Sequence, residues 1–156
     1  MKARLLASVV LAATVALVTS ACTFLTPQAT LDKYDPSDGT SVTVGDVLVQ
    51  NAIALSADGE TASLLASITN RGSSSATVKL QYEDASGAKI DESIHVNANS
   101  TKNLGDGSGE TLILENLDAP LGSLLDIYVQ IGNETGAQFG VPVLDGSLAE
   151  YRGLLP

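Results

Sequence analysis

The chain has 156 residues, with 18 acidic against 8 basic side chains, a formal charge of −10, and Cys22 as its only cysteine. So acidic a balance repels phosphate backbones, because nucleic-acid binding rests on clustered Lys and Arg releasing counterions, and nucleic acid is excluded as a partner. A single cysteine also excludes an intrachain disulfide.

The chain begins with two cations, Lys2 and Arg4, followed by an apolar run from Leu5 to Val18 that only Ser8 and Thr14 interrupt. Small residues Ser20 and Ala21 then stand directly before Cys22. Charged, apolar, then small is the order of a secretory signal. The apolar run is shorter than the roughly 20 residues that a helix needs to cross about 30 Å of hydrocarbon, so a permanent membrane span is the poorer reading. A cysteine after Ser-Ala resembles the bacterial lipobox, in which Cys22 receives a diacylglyceryl group and becomes the first residue after cleavage. Thr19 departs from the Leu or Val that this motif prefers. Two acyl chains, each methylene contributing ~0.8 kcal/mol on burial, are enough for a stable anchor. The alternative is an ordinary secretory signal cut nearby, which leaves Cys22 as a free thiol. Removal of residues 1–21 takes away Lys2 and Arg4, so the remaining 135 residues carry −12.

Residues 22–40 contain Pro27 and Pro36 and no sustained hydrophobic period, which predicts a lipidated N-terminus and tether. From Ser41 the apolar residues alternate with a period near two, and glycine-bearing polar clusters separate the runs, as half-buried antiparallel strands require. Val42 and Val44 alternate, Gly45-Asp46 breaks the phase, and Val47 and Val49 resume, which predicts one strand with a bulge at the glycine. Asp58-Gly59 is the strongest hairpin signal, since a tight primed turn needs positive φ at its centre. The expected inward rows are Leu64, Ala66 and Ile68, then Val78, Leu80 and Tyr82. Ile90, Ile94 and Val96 share the next row, with Glu92 marking an edge strand. Thr111 to Leu117 forms a further strand, Leu125, Ile127, Val129 and Ile131 the cleanest alternation, and Phe139, Val141 and Val143 the last row. The count is seven strands, or eight if residues 99–104 pair. The economical arrangement is a single all-β, antiparallel, immunoglobulin-like or cupredoxin-like sandwich over residues 41–145, followed by a tail at 146–156.

No catalytic set is legible. His95, the only histidine, shares a parity with Asp91 and Ser93, and one strand cannot bring its own alternate side chains into a hydrogen-bonded triad. The run Gly105 to Glu110 lacks the lysine ending of a phosphate loop and the alternating oxygen ligands of a calcium loop, and reads as a flexible hairpin. Pairs such as Glu83-Asp84 and Asp91-Glu92 read as a solvated face. Recognition at the ends of sandwiches sits on loops, which makes Asp58, Gly59, Asp106, Ser108, Glu110, Asn133 and Glu134 the candidate recognition residues. No cofactor and no metal is implied.

Several short stretches carry a family resemblance: Val44-Gly45-Asp46-Val47 with Gln50-Asn51, Ile68 to Gly72, Leu112 to Leu117 with Pro120-Leu121, and Phe139 to Val143. Over about residues 41–144 they are similar to small actinobacterial envelope lipoproteins of the LpqE type, which in turn resemble the periplasmic copper chaperones called PCuAC. The resemblance implies a β-sandwich. It also implies Cu(I) ligands in a Gly-Gly-X-His-X-Met stretch, but the corresponding run here is Gly107 to Leu112, with no histidine or methionine. Met1 is the only methionine, and soft Cu(I) wants thioether or thiolate ligands. The expectation is therefore a non-enzymatic binding or accessory module on the outer face of the cell membrane. Its partners would be the bilayer, through Cys22, and an envelope protein or polymer. Copper or calcium handling is the alternative.

Overall fold

A chain with one helical apolar run and eight or so alternating segments has few ways to bury its side chains, and the computed structural model shows which one it takes. The structure describes residues 2–25, 34–107 and 109–156, with the side chains of residues 2–16 in the first segment. Two units emerge, Met1–Tyr34 and Asp35–Pro156.

In the first unit, helix α1 spans Lys2–Leu25. The two polar interruptions of its apolar run are turned back on the helix: Ser8 Oγ donates to the Arg4 carbonyl at 2.7 Å and Thr14 Oγ1 to the Val10 carbonyl at 2.9 Å. Such back-bonding leaves little polarity on the helix surface, where Leu5, Leu6, Val9, Val10 and Leu11 are exposed. Among the described residues no helix is long and apolar enough to cross a membrane.

In the second unit, nine strands occur among the described residues: β1 (Thr40–Val44), β2 (Val47–Ser56), β3 (Ala62–Asn70), β4 (Ala76–Glu83), β5 (Lys89–Val96), β6 (Ser100–Leu104), β7 (Leu112–Leu114), β8 (Leu124–Ile131) and β9 (Ala137–Leu144). They run in the order β5-β4-β8-β9-β2-β3-β6, with β1 also on β2 and β7 also on β3. The fold is the all-β, sandwich-like one that the alternation predicts. Two details differ. Nine strands replace the expected seven or eight, and β2 pairs with β9 in parallel, through Ala54 with Val143 and Leu55 with Leu144, so the sheet is mixed. The predicted inward rows on β3, β4 and β8, with Ile94, Val96, Val141 and Val143, enclose one core, against which Ile90, Ile131 and Phe139 are partly buried. Strand β5 pairs only with β4 and lies at the edge, as Glu92 foretold.

The phase break was expected at Gly45-Asp46, but that pair is a hairpin turn that sets Val44 opposite Val47. The extra residue lies further on. Register shifts between Gln50 and Ile53 against β3, and Asn51 adopts φ 50°, a region that asparagine tolerates better than most residues. Strand β2 therefore changes faces at Asn51. Val47 and Val49 face the core before the bulge and Ala52 and Ala54 after it, all in the main cluster, while Ile53 and Leu55 lie outside that cluster and yet are fully buried.

The segment after β9 folds back toward this part of β2. Leu144 stands beside Leu55 at the end of β9. From there the chain turns back: Tyr151 Oη donates to Asp38 Oδ2 at 2.7 Å, on the β1 side of β2, and Leu154 reaches Gly107 beyond β3. These two attachments make the segment the candidate cover for Ile53 and Leu55. The hydrogen bond to Asp38 also pushes the Tyr151 phenol up to about 12. Residues 146–156, expected as a tail, belong to the same compact unit as the strands, and the N-terminal edge of that unit begins at Asp35, whose carboxylate accepts the Ser41 amide at 3.1 Å. Thr111 to Leu117, expected as one strand, pairs only from Leu112 to Leu114.

Deletion of residues 146–156 exposes Ile53 and Leu55, and each such side chain contributes about 1.5–3 kcal/mol when buried. The expected result is a stability loss of about 3 kcal/mol in urea denaturation together with new binding of a hydrophobic dye. An unchanged midpoint would show that the cover lies elsewhere.

Candidate functional site

The Asp58-Gly59 segment is the best-built loop in the unit. It was expected as a tight two-residue turn, but five residues, 57–61, join Ser56 to Ala62, and only Gly59 has positive φ, 83°. Side chains replace the missing turn geometry. Buried Ser56 accepts the Gly59 amide at 2.8 Å and donates to the Thr61 carbonyl at 2.6 Å, while Asp58 Oδ1 accepts the amides of Glu60 at 2.8 Å and Thr61 at 3.1 Å. Those two amide bonds, Glu60 first, hold the Asp58 carboxyl below its ordinary range.

This loop is sewn to the connection between β7 and β8. The Leu117 amide donates to the Glu60 carbonyl at 2.7 Å and the Ala119 amide to the Gly59 carbonyl at 3.1 Å. A Cβ at Gly59 would lie 2.8 Å from the Ala119 carbonyl oxygen, so the close approach needs glycine. The turn between β4 and β5 joins the same strap: the Ala85 amide donates to the Asn116 carbonyl at 2.7 Å and Asn116 Nδ2 to Asp84 Oδ2 at 3.0 Å. Tyr82 Oη accepts the Glu115 amide at 3.2 Å. Between the loops lies a concavity of about 780 Å³ lined by Asp58, Glu60, Glu115, Asn116, Asp118 and Pro120 among others. Its charge is uniformly negative. Asp58 and Asp84 accept backbone, hydroxyl and side-chain amide donors, which makes these two carboxylates structural anchors.

The other candidate residues are elsewhere. Asp106 and Glu110 sit on the excursion between β6 and β7, which was expected as a hairpin. Both strands instead pair antiparallel with β3, β6 at Ala66 to Asn70 and β7 at Ala62 to Leu64, so the excursion interrupts one edge. It is closed by the Gly105 amide donating to the Glu110 carbonyl at 2.9 Å and by Lys102 Nζ at 2.6 Å from Glu110 Oε2. Ser108 lies outside the described residues. Asn133 and Glu134 occupy the turn between β8 and β9, where the Glu134 side chain lies beside Gly45 of the β1–β2 turn. Register places that turn at the opposite end of the strands from Asp58, since Val47 and Asn70 pair at one end of β2 and Ser56 and Ala62 at the other. The three loops therefore do not form one site. Cys22 lies within α1, and its side chain is outside the described part. His95 is exposed on β5. Among the described residues no three His, Cys, Asp or Glu side chains stand close enough to hold a metal ion.

Two features escape sequence reasoning. Asn70, 2% exposed, directs Nδ2 to the carbonyls of Ser74, Val96 and Asn97 at 2.8, 3.3 and 3.1 Å and accepts the Gly72 amide at 2.9 Å, tying β3 to the turns before β4 and after β5. A second concavity, on the outer face of β4, β5, β8 and β9, includes Gln81, Asp126 and Tyr128. The only signal for it was that these polar residues share the outward parity. No model of a known protein family matches the chain, and no curated protein matches it in sequence.

Asp84 reports on the integrity of the strap. Hydrogen bonds from Ser86 first, then the Ala88 amide, lower its carboxyl from 3.8 to about 2. Its contribution to folding is present above pH 3.8 and is lost as pH falls toward 2, because the unfolded chain takes up the proton first. Carboxyl NMR is expected to give Asp84 a midpoint near 2, moved up toward 3.8 in Ser86→Ala. A midpoint near 4 in the unmodified protein would mean that the turn is not formed as described.

Proposed function

We propose that the protein is a lipid-anchored, non-enzymatic binding module of the cell envelope, held through Cys22 to the outer face of the cytoplasmic membrane. The single observation that carries this reading is the order of residues 2–22, two cations, an apolar run, small residues and the only cysteine, ahead of a separate β-unit that begins at Asp35. Helix α1 supports it, because a segment whose Ser8 and Thr14 hydroxyls are satisfied internally suits passage through an apolar phase. The resemblance to envelope lipoproteins of the LpqE type points the same way.

Twelve residues, 23–34, separate the proposed lipid from the β-unit. Fully extended they reach at most about 40 Å, so the module works within a short distance of the bilayer. With 17 acidic and five basic residues from Asp35 onward, a net −12, it is repelled by anionic lipid and by polyphosphate chains. Its role on this reading is recognition by a stable sandwich, with the partner an envelope protein or polymer.

Metabolic labelling with palmitate and mass spectrometry of the native protein test the anchor. The expected product begins at a diacylglyceryl-modified Cys22, and Cys22→Ala is expected to lose the label and move from the detergent to the aqueous phase. An unmodified chain still beginning at Met1, or recovery in the cytosol, would refute the reading. Uptake of Cu(I) or Ca²⁺ at micromolar concentration by the detergent-purified protein would replace it with metal handling.

A further inference from the structure

The half of the sheet formed by β5, β4, β8 and β9 aligns its outward side chains in rows. Asp91, Gln81, Tyr128 and Gln138 are successive cross-strand partners across the four strands. In the adjoining row Lys89 faces Glu83, and Asp126 faces Gly140, where no side chain rises from the sheet. The result is a depression of about 440 Å³ lined by Gln81, Glu83, Lys89, Asp126, Tyr128 and Gln138, with part of Tyr82.

Two of its groups, Gln81 and Tyr128, are held in place before any ligand arrives. Asp91 accepts Gln81 Nε2 at 2.7 Å and Lys79 Nζ at 2.9 Å, which fixes the Gln81 amide and turns its carbonyl oxygen away from the carboxylate. Tyr128 is half-buried, and its ring end and hydroxyl lie over Gly136 so closely that any Cβ there would overlap them. Glycine at 136 lets the ring settle against the sheet, as a cross-strand aromatic covers a glycine. An aromatic platform beside amides, carboxylates and an ammonium group combines an apolar surface with groups that both donate and accept hydrogen bonds.

That combination matches a sugar ring, which has an apolar face and a rim of hydroxyls. Charge narrows the class. The unit as a whole carries −12, but this face sets Lys79 and Lys89 against Glu83, Asp91 and Asp126 and is close to neutral. A polyanion is repelled by the surroundings, whereas an uncharged chain is not. An extended peptide gains its affinity by adding to an unpaired strand edge. Here β4 and β8, which carry Gln81 and Tyr128, are paired on both sides, so a peptide could add only at the β5 edge, beside the depression rather than across it.

We propose that this face binds a neutral polysaccharide, with a sugar ring against Tyr128 and its hydroxyls bridged by Gln81, Gln138, Asp126 and Lys89. The proposal rests on the reading of the protein as an envelope binding module and names that module's ligand class.

The test uses the protein purified from membranes in detergent and a panel of neutral hexose and pentose oligosaccharides, with polyphosphate and unstructured peptides as competitors in kind. Retention of at least one neutral oligosaccharide is expected, weakened about tenfold or more by Tyr128→Ala and also by Gln81→Ala, with Thr101→Ala on β6, outside this face, unchanged. Circular dichroism of each variant verifies folding, and Tyr128→Phe, which keeps the ring, is expected to retain most of the binding. No retention of any neutral sugar, equal retention by folded Tyr128→Ala, or preference for polyphosphate or peptide overturns the proposal. Lipid at Cys22 without sugar binding would sink the ligand class and leave the anchored module standing. Sugar binding by a chain without lipid would do the reverse.

Discussion

The structure of the β-unit depends on one extra residue in β2. At Asn51 the strand takes a left-handed step, stabilised where Asn51 Oδ1 accepts the Gly39 amide at 3.0 Å. On one side β2 keeps β3 along its whole length; on the other it must serve β1 in its first half and β9 in its second. A regular strand keeps the same parity throughout and would carry Ile53 and Leu55 into the core in line with Val47 and Val49. The bulge sends alanines inward instead, at the place where β9 comes alongside in parallel. That arrangement leaves Ile53 and Leu55 on the other face, where they are nonetheless fully buried. The Tyr151–Asp38 hydrogen bond fastens the two ends of the unit at the same place.

A similar economy governs the loop end. Asp58, Asp84 and Ser56 supply acceptors for amides that the strands have left unpaired, so the turns are set by side chains and the strap from Glu115 to Ala119 is held by its neighbours' carbonyls. Carboxylates used in this way are acceptors by necessity, since only acceptors satisfy an exposed ring of N–H groups. Much of the acidity at this end therefore has a structural cause. The outer face of β4, β5, β8 and β9 differs, because Lys79 is paired with Asp91 across strands and its aromatic residue lies against Gly136.

Together these features describe a small sandwich that is stiff at one end and nearly neutral on one face, and acidic over the rest. On the proposed reading of a module tethered to a bilayer, general acidity would keep it off anionic lipid, while a nearly neutral face would remain open to an uncharged polar partner.

Local periodicity was legible in the chain: the alternating rows on β3, β4, β5 and β8, the edge character announced by Glu92, and the turn at Asp58-Gly59 all follow from side chains that point to opposite faces of a pleat. The order of residues 2–22 was equally plain, because it is written contiguously. The sequence could not place the bulge, since Asn51 looks like any polar residue in a strand and Gly45-Asp46 was the stronger signal. Nor could it assemble the row from Asp91 to Gln138, whose members come from four strands. By itself the sequence determined which residues face inward within most strands, a property of neighbours along the backbone. Only the tertiary structure decided that β9 would lie parallel to β2, that the last eleven residues would fold back to Asp38 and Gly107, and which outward residues would meet, because register between distant strands is set by how the whole core closes.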